Sequence, residues 1–144
     1  MRISARTEYA CIAMLELAKH YGEGEPVRIR HIAESHEVPP RFLVQILLQL
    51  KGAGLVDSVR GAAGGYRLAI PPEELSLGQV MAVVDPGLGG NELRSVAKPD
   101  SPMVKVLLDA WRHVANVQRD MLQGIKLSDL VEQSLTRQEE MYHI

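Results

Sequence analysis

The stretch from Leu55 to Ile70, LVDSVRGAAGGYRLAI, constrains the fold more than any other part of the chain. Tyr66, Leu68 and Ile70 alternate with Arg67 and Ala69, the period of two of a half-buried strand, which predicts two short strands around a GAAGG loop. Gly61, Gly64 and Gly65 open backbone conformations closed to other residues and let the loop come close to another surface. Arg60 and Arg67 put a cation on either side. Such a loop suits a phosphate backbone or a minor groove, and equally a merely soluble hairpin edge.

Upstream of the hairpin the spacing predicts three helices. Ser4 can cap the first, which runs to about His20 with Glu8 in its early turns, where the helix dipole favours an anion. Ala10, Ala13, Met14, Leu17, Ala18 and Tyr21 form one apolar stripe, with Glu8, Ile12 and Leu15 on the opposite side, so two faces need partners. Cys11 lies on the flank, as a small buried hydrophobe or as a reactive thiol. GEGEP, residues 22–26, breaks the helix, and Val27 can add a short strand beside the hairpin. Ile29, Ile32 and Ala33 mark a second helix ending near His36, with Arg28 at a start that lacks a capping side chain.

Val38-Pro39-Pro40 opens the third helix, residues 39–53, with proline at its first position, where the missing N–H costs nothing. Leu43, Ile46, Leu47, Leu50 and Ala53 face the core, while Arg41, Val44, Gln45, Leu48 and Gln49 face out. Two helices joined by a tight turn and followed by a hairpin predict a winged helix-turn-helix. The third helix would then enter a major groove. Arg41 and Gln45 can bond base edges or position phosphates; Val44 and Leu48 can meet thymine methyls or bind another protein.

Charge is distributed in keeping with this arrangement. The 144 residues carry a net −2, but residues 1–72 hold nine Lys/Arg against seven Asp/Glu (+2), and residues 73–144 hold seven against eleven (−4). No apolar run reaches the ~18 residues of a membrane span, and the start lacks a signal-peptide core, so a cytoplasmic protein without membrane partners is expected. A single cysteine excludes an internal disulfide and any site built from several thiolates of one chain. His31 and His36 are poorly spaced for a metal, and the i, i+4 pairs Glu16 with His20 and Asp109 with His113 read as ordinary surface pairs. No metal or cofactor is expected. With no phosphate loop, nucleophile elbow or Ser/His/Asp set, neither is an enzyme.

Downstream, Ser76-Leu77-Gly78-Gln79 predicts a capping box for a fourth helix built on Leu77, Val80, Met81 and Val84. A glycine-rich loop follows over residues 86–100. Ser101-Pro102 begins a helix of about 23 residues, closed by Gly124, that would extend roughly 35 Å. Its heptad seam is Val104, Leu107, Trp111, Val114, Gln118, Met121 and Ile125, widened by Leu108, Ala115 and Leu122. Together with the uncovered second face of the first helix, this predicts a homodimer. Leu127, Leu130, Val131 and Leu135 suggest a short last helix, giving a DNA-binding domain over 1–85, a loop over 86–100, dimerisation helices over 101–137 and a polar tail over 138–144.

The opening RISARTEYA, the stretch IRHIAESHEVPPRFLVQILLQLKGAGLV, the wing VRGAAGGYRLA, the run LSLGQVMAVVD and the Trp111 helix leading into IKLSDL together resemble the Rrf-two family of bacterial winged-helix regulators, of IscR, NsrR and CymR type. The resemblance covers nearly the whole chain. It implies a mainly α fold with a small β-hairpin, a long C-terminal dimerisation helix, and a homodimeric repressor reading a palindromic double-stranded DNA site. DNA-contact roles carry over to Ser4, Arg6, Tyr9, Pro40, Arg41, Gln45, Arg60, Gly61, Gly64 and Gly65, with Arg28 and Arg67 completing the cationic set. The family often has Glu where this chain has Val44, and its usual GPGGG wing here contains Ala62 and Ala63. Cluster-binding relatives hold iron and sulfur with three cysteines after the fourth helix. This chain has none there, so a cysteine-poor member answering to a partner protein or small molecule is implied, with Glu8 as a dipole partner or an intersubunit hydrogen-bonding group. A protein-interaction adaptor that keeps the fold without reading DNA is the alternative.

Overall fold

Helix α1, Ala5–Lys19, begins where Ser4 leaves the extended conformation and its Oγ accepts a hydrogen bond from the Thr7 amide at 3.2 Å. The structure, a computed structural model, describes residues 1–89 and 100–142. Ala10, Ala13, Met14 and Leu17 are buried, and their small or flexible side chains let α2 (Ile29–His36), α3 (Pro40–Gly52), α4 (Leu77–Val84) and α6 (Leu127–Tyr142) pack around this one helix. Tyr21, expected on the apolar stripe, lies beyond the helix end and is exposed.

Helix α2 starts at Arg28 without a side-chain cap, as its sequence indicates, and ends at Glu37 in the left-handed conformation (φ 52°). Helix α3 starts with Pro40 and buries Leu43, Ile46, Leu47 and Leu50 completely. Ala53 is not part of that face, because the helix stops at Gly52 and Ala53 caps it while exposed. Gly54, at φ 81°, turns the chain into β1 (Val56–Val59), which pairs antiparallel with β2 (Gly65–Leu68) in the register Val56 with Leu68 and Val59 with Gly65. Val27 adds the expected third rung: its amide donates to the Tyr66 carbonyl at 2.7 Å and the Tyr66 amide donates back at 2.8 Å.

The capping box at α4 is complete, with Gln79 N donating to Ser76 Oγ at 3.1 Å and Ser76 N donating to Gln79 Oε1 at 2.7 Å. A 3-10 turn, Pro86–Gly89, follows; the rest of the expected loop, up to residue 99, lies outside the described residues. Helix α5 spans Pro102–Gly124 as the spacing predicts, but Ser101 makes no side-chain cap bond, and Gly124 closes the helix without a positive φ.

The C-terminal part differs from expectation in two ways. Helix α6 continues through residues 138–142, the stretch expected to form a tail, while residues 143–144 lie outside the described residues. It also folds back onto its own α1, where Leu130 and Val131 border an open cavity of about 300 Å³ with Ile12 and Leu15, all four half-buried. The second apolar face of α1 is therefore only partly covered within one chain. The return is fixed by backbone pairing that no local pattern announces: Leu77 N donates to Ile125 O at 2.8 Å and Leu127 N to Leu75 O at 2.9 Å. Leu127 is fully buried in the core. Replacing it with Ala should cost about 2–5 kcal/mol in urea unfolding, whereas Met141→Ala, at a side chain 74 % exposed, should leave the midpoint within error.

Candidate nucleic-acid interface

The outward face of α3 carries Arg41, Val44, Gln45 and Leu48, all exposed, directly opposite its buried face. Its N-terminal end is braced from α1. Tyr9 packs on Phe42 with ring centroids 5.7 Å apart, and the Arg41 guanidinium lies 5.2 Å over the same Phe42 ring. Arg41 is thus held at the mouth of the helix with its outer edge free to meet a phosphate or a base. Pro40, beside it, is exposed at the first helical position. Gln45 sits one turn on and, among the described residues, makes no hydrogen bond.

The wing departs from the body at Val59 and returns at Gly65. Gly61 has φ 105°, a conformation that favours glycine. At Gly64 a side chain would stand 2.3 Å from the Val59 carbonyl, and at Gly65 it would stand 2.3 Å from the Val27 carbonyl. Two of the three glycines therefore serve the hairpin's internal packing, while Gly61 serves its turn. Arg28 braces the tip by donating from Nη2 to the Ala62 carbonyl, and Lys51 braces the base by donating to Ser58 Oγ at 2.6 Å. Arg60 is exposed on the wing and unpaired among the described residues, so its charge is directed at solvent. Arg67 stands across from Asp57 on the outer side of the hairpin, next to the linker residues Tyr21, Gly22 and Glu25, away from the tip.

The remaining sequence-derived positions have structural duties. Ser4 caps α1, and its Oγ also donates to Thr7 Oγ1 at 3.0 Å. Arg6 donates to Gln49 Oε1 on α3, and Gln49 Nε2 in turn donates to the Val83 carbonyl on α4 at 2.8 Å. Arg28, Arg6 and Tyr9 therefore set the positions of the wing and α3. Lys51 and Gln49, which do the same, were not singled out from sequence because their partners lie on other elements.

Cys11 is half-buried on α1, and burial pushes its thiol up to about 11, which keeps it protonated and unreactive at neutral pH. One such thiol does not supply the thiolate set of an iron–sulfur cluster, and residues 86–100 contain no cysteine. Glu8, the acid nearest in position to a cluster ligand, is exposed without a thiol partner. The residues present do not fit such a cluster.

Residues 3–133 match the family profile described as "Rrf2: Iron-dependent Transcriptional regulator". The chain belongs to the Rrf2 family. It is 33 % identical over 131 residues to the HTH-type transcriptional regulator IscR of Aliivibrio salmonicida, covering 91 % of this chain and 77 % of the relative. It is 32 % identical to the HTH-type transcriptional regulator CymR of Bacillus subtilis, covering 90 % and 89 %. The solved structure of Bacillus subtilis CymR, the global cysteine regulator, superposes with a TM-score of 0.78 at 29 % identity over 92 % of this chain and 98 % of that one. For T. potens IscR the TM-score is 0.74 at 33 % identity, over 93 % and 88 %. As an Rrf2 protein the chain is a DNA-binding transcriptional regulator with a winged helix-turn-helix, and it is not an enzyme. No helix among the described residues is long and apolar enough to cross a membrane.

The seat of the wing is testable without DNA. Gly65→Ala should force the hairpin off Val27, and amide exchange at Val27 and Tyr66 should speed up by roughly tenfold or more while that of Leu47 and Leu50 holds; unchanged protection at Val27 would contradict the close approach.

Proposed function

We propose that the protein acts as a homodimer that binds a palindromic operator in cytoplasmic DNA, placing α3 (residues 39–53 with its flanks) in the major groove and the wing, residues 60–67, against the adjoining backbone or minor groove. The observation that carries this reading is the set of exposed polar groups held by a braced frame: Gln45 with Arg41 on α3, and Arg60 on the wing. Val44 and Leu48 on the same helix face offer contacts to thymine methyl groups. Occlusion of a promoter by such a dimer makes it a repressor, released by a partner protein or a small molecule.

Dimerisation is assigned to α5. Its exposed face is a continuous apolar stripe of Met103, Val106, Leu107, Trp111, Val114, Val117 and Met121, with Trp111 51 % exposed and Met103 82 % exposed. A stripe of that size on one helix of a regulator marks an interface, and an isologous pairing with a second copy covers both at once. The inner flank of the expected seam is used differently: Leu108 is buried within its own chain, and Val104, Ala115 and Leu122 are half-buried at the edge.

Arg60→Ala should weaken operator binding at least tenfold in a fluorescence-anisotropy titration, because a charged hydrogen bond is worth about 1.5–3 kcal/mol and the dimer loses two. The slope of log affinity against log salt should flatten as well. Unchanged affinity would remove the wing from the interface. Leu107→Asp with Trp111→Asp should turn the protein into a folded monomer in sedimentation equilibrium and abolish binding to the palindrome; a dimer that survives both changes would reassign the interface.

A further inference from the structure

Four side chains that sequence spacing sets apart converge at the junction of α1 and α2. Glu16 is 6 % exposed, and its Oε2 lies 2.8 Å from His20 Nε2 on the same helix and 3.4 Å from His31 Nε2 on α2. Its other oxygen, Oε1, accepts a hydrogen bond from His36 Nε2 at 2.9 Å. Burial raises the Glu16 carboxyl, but the His36 hydrogen bond and the Lys19 charge act against it, and the group lies below its ordinary value. Glu16 is therefore an anion. Expected from sequence to be an ordinary surface pair, Glu16 and His20 are instead the inner part of a cluster.

The tautomer of His20 follows from its outer neighbour. Its Nδ1 lies 2.7 Å from Glu23 Oε2, and a carboxylate accepts only, so Nδ1 carries the hydrogen and donates it. In the neutral ring, Nε2 then offers a lone pair, and it faces a carboxylate oxygen 2.8 Å away. Both Glu16 Oε2 and His20 Nε2 are buried, and neither makes a hydrogen bond. A shared cation satisfies both atoms, whether a second proton on the ring or a metal ion. A metal-bound imidazole whose other nitrogen donates to a carboxylate has the arrangement seen here for His20 with Glu23.

We propose that Glu16, His20 and His31 form a binding site for a divalent transition-metal cation, with His36 and Glu23 fixing the two first-named ligands from behind. The three donor atoms lie within 4.8 Å of one another, and zinc bonds of about 2.0–2.1 Å in tetrahedral geometry ask for donor separations of about 3.3 Å, between the 2.8 and 3.4 Å present. The His20 and His31 rings meet edge to face at 82°, with their centroids 5.5 Å apart. Beside the two histidines lies an open cleft of about 430 Å³, bordered also by Glu23, Glu25, Arg30 and Glu34. Two imidazoles and one carboxylate favour zinc and its first-row neighbours over magnesium or calcium, which take all-oxygen ligand sets. The site joins α1 to the first helix of the helix-turn-helix, so an occupied site clamps the two together. This inference stands on the chain's own geometry and is independent of the operator and of dimerisation.

The test is calorimetric titration of zinc chloride into the full-length, chelator-stripped protein. One equivalent per chain should bind, magnesium chloride should give no heat, and the thermal midpoint should rise with zinc. His31→Gln, at a half-exposed ligand that folding does not need, should weaken zinc at least tenfold, and His20→Gln should do likewise. Glu23→Gln should weaken it about tenfold through the outer hydrogen bond, while His113→Gln on α5 should change nothing. Each substitution is accompanied by a circular-dichroism spectrum matching the parent. Absence of saturable zinc binding, or binding that His31→Gln and Glu23→Gln leave intact, overturns the site and leaves a plain histidine–glutamate ion pair.

Discussion

Everything in this fold leans on the burial of α1. Ala10, Ala13, Met14 and Leu17 form its fully packed side, and α3 and α4 close on it, while α2 and the hairpin strand β2 border it at the C-terminal end. The alanines matter because they let helix axes approach closely, and a larger side chain at either would push α3 off the body. The opposite side of α1 is met by α6, which returns to it after α5 and leaves Ile12 and Leu15 half-buried. The position of α3 is consequently set by its packing on α1.

What was legible in the sequence was local. The period of two in Tyr66, Leu68 and Ile70, the prolines opening α3, the Ser76–Gln79 capping box and the length of α5 each depend on residues a few positions apart, and each is found where the spacing puts it. The exposed and buried faces of α3 were equally readable, apart from Ala53 at its end. What was not legible depended on long-range return of the chain. Nothing around Leu127 or Leu130 states that α6 folds back on α1, and so the uncovered face of α1 read as a subunit contact. The backbone pairing of residues 75–77 with 125–127 that makes the return has no side-chain signature.

The same division runs through the interface. Arg60, Arg41 and Gln45 stand outward as their positions in the pattern imply. Arg6, Arg28 and Tyr9 share the residue types of a DNA contact, yet their described partners are Gln49, the Ala62 carbonyl and Phe42. The histidines pair through contacts that spacing along the chain does not announce. His31 and His36 are spaced badly along the chain for any common ligand, but the packing of α2 on α1 carries both to Glu16. Spacing arguments apply within an element and lose force across a turn.

The wing is stitched to the chain entering α2 at two places, Val27 at its base and Arg28 at its tip. Hairpin and linker therefore travel as a single piece, pivoting with the first turn of α2 instead of flapping on their own. A shift in how that turn sits on α1 would be carried to the far end of the loop, so the spacing between wing and α3 depends on how α2 rests on α1.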